Sequence, residues 1–243
     1  MGQILAFVSG KGGTGKTSLC AAAASCLGAM GDKVLCIDMD IGLRNLDISL
    51  GMENEPLLPF TSFIDGTYTL EQLKPAEKLP NLYLLTAPVS ATPEEIDGEA
   101  LRKFFAECRE NFDWCFLDAP AGIGAGFRLC AESADRFVVV TGGDTAALRD
   151  GAKAAVLLPE DVPAQVVVNR VDKYFFRLSD RTVDDVMDTV GLPLLGIVPE
   201  DEIVPGSAAK GIPLVLAERT GAAAAALRIA RRLKEIKTPI GRI

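Results

Sequence analysis

Residues 9–18 read Ser-Gly-Lys-Gly-Gly-Thr-Gly-Lys-Thr-Ser, between a short apolar run at 4–8 and an alanine-rich stretch at 19–30. Gly10, Gly15, Lys16 and Thr17 fill the pattern G-x-x-x-x-G-K-[ST]. Its glycines leave backbone N–H groups free to wrap phosphate oxygens, and the helix that follows points its positive end at them. Gly10, Lys11, Gly12, Gly13, Thr14, Gly15, Lys16, Thr17 and Ser18 are the expected nucleotide contacts. Lys16 is expected on the β- and γ-phosphates, and Thr17 on Mg²⁺. The alternative, a merely glycine-rich turn, is disfavoured by the strand before the loop and the helix after it.

Two acidic strand ends supply what a phosphate loop lacks. Residues 38–47 read Asp-Met-Asp-Ile-Gly-Leu-Arg-Asn-Leu-Asp. A carboxylate at the tip of a neighbouring strand faces the γ-phosphate, where it can hold a metal-bound water or orient the attacking one. Asp40 is assigned that role. Asp38, nearer the strand, is its support, and Gly42 and Asn45 belong to the same switch segment. The apolar run 114–117 ends in Asp118, the pattern of a Walker-B carboxylate that holds the Mg²⁺ shell. Pro120 and Gly122 follow in a turn whose backbone can sense the γ-phosphate and move when it leaves.

For the base, Asn169 can offer a donor and an acceptor to an adenine edge, and Arg170 can stack on its face. Pro199, Glu200 and Asp201, at another strand end, could close over it with backbone groups. The plainer reading of both segments is a polar strand terminus entering a loop.

These residues must be carried by an ordered frame. Continuous apolar runs recur at 4–8, 34–37, 82–85, 114–117, 137–140, 166–168 and 194–198, which is the character of strands covered on both faces. Helical spacing fills 93–111, 145–158 and 180–190. The expected fold is α/β, a mostly parallel central sheet flanked by helices in one domain spanning 1–243, with ligands at the carboxyl ends of the strands. A looser region at 51–80, punctuated by Pro56, Pro59, Gly66 and Pro75, reads as an insertion within that domain.

Composition narrows the chemistry. The 243 residues are 49% hydrophobic and contain no histidine, so the usual general base and commonest metal ligand are missing. The net charge of −8 counts against a nucleic-acid partner. Six cysteines without a C-x-x-C pair read as core residues of a reduced, cytoplasmic protein. No leader pattern or membrane-length apolar run is evident.

One lysine suffices for a phosphate loop, so Lys11 asks for its own explanation. The string at 9–18 resembles the deviant Walker-A motif of the ParA/MinD superfamily of ATPases, a P-loop fold like that of the nitrogenase iron protein. Residues 38–47 and 118–122 resemble the two switch segments of its MinD branch. The resemblance implies ATP/ADP and Mg²⁺ as cofactors and an ATP-dependent homodimer in which Lys11 reaches the nucleotide of the opposite subunit, as a lysine counterpart of an arginine finger. It implies a switch and partner surface at Arg149 and Asp150, MinC-like and MinE-like partners, and a role in division-site placement.

Relatives also end in an amphipathic helix that lies on the membrane. Here 221–236 carries Leu227, Ile229, Ala230, Leu233 and Ile236 among Arg228, Arg231, Arg232 and Lys234, yet it aligns with the last helix of the domain, whose stripe should pack on the sheet. Residues 237–243 are too short for another helix. A peripheral place at the inner membrane face is therefore the lesser expectation. Other readings stay open: a ParA-like partition, positioning or flagellar-number ATPase, and a nonenzymatic nucleotide-dependent scaffold. An Fe–S carrier is disfavoured, because Cys115 and Cys130 lack an evident ligand spacing.

Overall fold

A computed structural model describes residues 1–241, apart from the side chains of Lys173 and Phe175. Arg242 and Ile243, part of the tail considered above, lie outside the described residues. Eight strands form one sheet: β1 (Gln3–Val8), β2 (Val34–Asp38), β3 (Leu58–Pro59), β4 (Leu82–Thr86), β5 (Trp114–Asp118), β6 (Arg136–Thr141), β7 (Ala164–Val171) and β8 (Leu194–Pro199). Their order is β3-β4-β2-β5-β1-β6-β7-β8, and every neighbouring pair is parallel. Burial on both faces explains the unbroken apolar runs.

Helices link the strands in chain order: α1 (Lys16–Ala29), α2 (Leu46–Leu50), α3 (Thr61–Ile64), α4 (Gly98–Asn111), α5 (Ala125–Ala131), α6 (Thr145–Val156), α7 (Lys173–Leu178), α8 (Val183–Val190), α9 (Ile203–Ala209), α10 (Leu214–Ala217) and α11 (Gly221–Leu233). One core lies between the sheet and α4, α5, α6 and α8. The other lies between the sheet and α1 and α11. The helical stretch expected at 93–111 divides: Pro93–Glu95 is a 3-10 turn, and Asp97 caps α4 by accepting hydrogen bonds from the Glu99 and Ala100 amides.

Helix α11 packs on the domain through one face of 221–233. Ala222, Ala223, Ala225, Ala226, Ile229, Ala230 and Leu233 are buried against α1 and β8, whereas Leu227 on the same helix and Ile236, past its end, are exposed. The sequence placed those last two on the buried stripe. The alanines occupy it instead, because α1 is itself alanine-rich and the two helices approach closely. Gly196 on β8 permits a similar approach, since a β-carbon there would lie 2.5 Å from Ile229 Cγ1. Among the described residues no helix is long and apolar enough to cross a membrane.

Candidate phosphate-transfer site

Parallel strands deliver their carboxyl ends to one edge, and β1 lies centrally between β5 and β6. Register places Asp38 beside Asp118, and Asp118 beside Phe7, one residue before the end of β1. The chain leaves β1 into the glycine-rich loop, where Gly13 and Gly15 adopt φ of 79° and 80°. This left-handed region is costly for a side chain bearing a β-carbon. A β-carbon on Gly10 would lie 1.9 Å from the Asp150 carbonyl oxygen. The loop therefore starts in direct contact with α6, the helix that carries Arg149 and Asp150.

Lys16 is buried at the start of α1, with its ammonium 2.6 Å from Asp118 Oδ1. Burial alone would lower the lysine pKa, but the charge of Asp118 and its hydrogen bond outweigh that and raise it. Asp38, also buried, accepts hydrogen bonds from the backbone of Asp40 (3.0 Å) through Oδ1 and of Asn45 and Leu46 (3.2 Å each) through Oδ2. It thus folds 39–46 around itself and fixes the backbone that carries Asp40. Burial first, and the charge of Asp118 second, push Asp38 up to about 6 despite those donors. Asp40 is more exposed; burial raises its carboxyl, while Lys16 pulls it back. Arg44 Nε donates to the buried Asp47 carboxylate at 2.6 Å, bracing the same segment.

Two buried carboxylates against one buried ammonium leave an excess of negative charge, which a divalent cation brought in with phosphate would relieve. Thr17, Asp118 and Asp40 are the residues present to hold it. Pro120 and Gly122 form the turn after β5, where the Gly122 amide donates to Ser9 O at 3.1 Å and ties this turn to the phosphate loop.

Lys11 points elsewhere. Its ammonium lies 3.2 Å from Asp144 Oδ1, and the two side chains are 35% and 51% exposed. Asp144 also caps α6 by accepting the Ala147 amide. Sequence reasoning missed Asp144, although an aspartate one step before a helix and just after a strand end was the available signal.

Next to the loop, a cavity of about 300 Å³ is lined by Ser18, Leu19, Ala22, Asn169, Pro199 and Val204, among others. The residues proposed to contact the base all border it, but their polar groups are partly committed. Asn169 Nδ2 donates to Thr14 O at 2.8 Å, and Arg170 forks onto Glu200 at 2.8 and 3.1 Å. Asp201 accepts the Ile203 and Ala222 amides and so anchors the start of α11. All six cysteines are buried and free; burial pushes the Cys26 and Cys130 thiols up to about 12.

Residues 5–214 match the model of the CobQ/CobB/MinD/ParA nucleotide binding domain. Over 239 residues the chain is 36% identical to the septum site-determining protein MinD of Synechocystis, covering 96% of this chain and 90% of that protein. The chain belongs to the MinD family. The likeness holds in three dimensions: the MinC:MinD cell division protein complex of Aquifex aeolicus superposes with a TM-score of 0.90 at 32% identity, over 99% of this chain and 98% of that one. The MinD of Pyrococcus horikoshii complexed with Mg-ADP gives 0.84 at 26% identity, over 97% of each. This MinD-family chain is an ATPase that uses Mg²⁺.

Proposed function

We propose that this chain is a nucleotide-gated regulator of division-site placement, working as a dimer that ATP assembles and hydrolysis dissolves. The observation that carries the reading is Lys11: a lysine inside a phosphate loop that leaves its own phosphate site to Lys16 and rests on an exposed carboxylate. Exposed ion pairs contribute about 0–1 kcal/mol, so Asp144 holds Lys11 weakly enough to surrender it. In a face-to-face dimer Lys11 of each copy then reaches the phosphates of the other, and hydrolysis requires assembly.

Within one subunit, the amides of residues 12–18 and the Lys16 ammonium hold the phosphates. Asp40, presented by Asp38, positions the attacking water. Thr17, Asp118 and Asp40 would hold Mg²⁺, which would supply charge neutralisation to the phosphates. The contact of Gly10 with Asp150 gives the loop a route to the outer face of α6, where a MinC-like partner would sense the dimer and a MinE-like partner would stimulate turnover. With its apolar stripe buried, α11 takes no part in lipid binding in this scheme.

Light scattering tests it. The wild type should shift toward twice its mass with Mg-ATP and not with Mg-ADP, and Lys11→Ala should remain a monomer with both. ATP-driven dimerisation of Lys11→Ala would sink the proposal.

A further inference from the structure

Two consecutive residues at the end of β7 hold two consecutive carbonyls of the phosphate loop. Asn169 Nδ2 donates to Thr14 O at 2.8 Å, and Arg170 Nη1 donates to Gly13 O at 3.1 Å, across more than 150 residues of sequence. A trans peptide directs its C=O and N–H to opposite sides, so fixing these two oxygens toward β7 turns the Thr14 and Gly15 amides away from it. The approach is close: a β-carbon on Gly15 would lie 2.3 Å from Asn169 Nδ2.

The strand distorts to make this contact. Arg170 has φ of 54°, in the left-handed region that an arginine rarely adopts, and the β7–β8 register shifts between Val168 and Val171. The distortion lets the guanidinium reach Gly13 O with one nitrogen while its other two are fixed by Glu200, itself at the end of β8. Asn169 is buried, which makes an unpaired amide there costly and the Thr14 contact correspondingly firm.

We infer that Asn169 and Arg170, braced by Glu200, are positioning residues of the phosphate loop, holding the Thr14 and Gly15 amides toward the phosphates whether or not a base is bound. This rests on the reading that the loop binds nucleotide phosphates. It makes the base pocket and the phosphate cradle mechanically one object: a base that settles against Asn169 stiffens the loop that grips the triphosphate.

The experiment compares ATP with inorganic tripolyphosphate, which has the phosphates and no base, by calorimetric titration of the full chain with Mg²⁺. Asn169→Ala and Arg170→Ala should weaken both by a similar factor, about tenfold for the loss of a buried or charge-assisted hydrogen bond, and Glu200→Gln by less. Arg170→Lys should recover part of the loss. In the ligand-free proteins, hydrogen exchange at the Thr14 and Gly15 amides should quicken while that of β1 is unchanged. Weakened ATP binding with unaltered tripolyphosphate binding would reduce the pair to base contacts and overturn the inference, as would unaltered exchange at those amides. Should Asn169→Ala fail to fold, the exposed Arg170 and Glu200 variants decide by the same criteria. A wild type that binds neither ligand would defeat the nucleotide reading, while the exchange result would still judge the positioning role.

Discussion

Lys16 and Asp118 are 2.6 Å apart in a site where both side chains are buried. Asp118 is the main charge partner of Lys16, yet in the proposed mechanism each takes a different ligand: phosphate for the lysine, the metal shell for the aspartate. Arrival of the phosphates with their cation therefore exchanges one buried pairing for two. Removing one partner of a buried pair costs about 3–5 kcal/mol. Lys16→Met should lower urea-unfolding stability by that order at pH 7.5. Equal stability of variant and wild type would show that the pair carries no weight.

Asp38 touches no phosphate in the proposed mechanism, and its removal should still damage turnover. Asp38→Ala leaves the amides of Asp40, Asn45 and Leu46 without their acceptor, a loss of about 1–3 kcal/mol for a buried unmet donor. A steady-state assay should find the loss chiefly in kcat, because the displaced element is Asp40 and not the phosphate loop.

The same carboxyl gives stability a pH dependence with a definite sign. Its pKa is about 6 in the folded chain against an ordinary 3.8, so the folded state holds the proton more tightly than the unfolded one. Its contribution is most favourable below about pH 4 and declines as pH rises to about 6, by up to about 3 kcal/mol. Urea titrations between pH 4 and 7 should show this decline in the wild type and not in Asp38→Ala.

Two glycines of one loop should respond differently to alanine. At Gly10 the added carbon would meet the Asp150 carbonyl at 1.9 Å, whereas at Gly12 the nearest neighbour is Ala121 Cβ at 3.8 Å. Gly10→Ala should destabilise the ligand-free chain by at least 1–3 kcal/mol, the usual range for overpacking, and Gly12→Ala should leave its melting temperature nearly unchanged. Differential scanning calorimetry without nucleotide checks both.

Asp40→Ala should bind Mg-ATP and hydrolyse it at least about 10²-fold more slowly. Normal turnover in a phosphate-release assay would remove Asp40 from the mechanism.

The frame was legible in the sequence because parallel strands covered on both faces must be continuously apolar. Seven strands announce themselves in this way; β3 does not, being two residues long and half proline. The phosphate loop and the acidic ends of β2 and β5 were legible for a related reason, since a motif is local and its register follows from the strand before it. What stayed hidden lies between distant positions. Nothing near Lys11 names Asp144, 133 residues away, and nothing near Thr14 names Asn169. The apolar stripe of α11 was misread in part because hydropathy favours Leu227 while the close approach of α1 rewards alanine, and in part because the helix ends before Ile236.

That approach joins two helices far apart in sequence. Helix α1, which carries Lys16, Thr17 and Ser18, is backed by α11, some two hundred residues later in synthesis. On the ribosome the phosphate loop is made well before the helix that backs it. Contacts of such sequence separation form late. A nascent chain would therefore hold its phosphate loop on an α1 without that backing until α11 had emerged, and a fragment ending before α11 would lack it altogether.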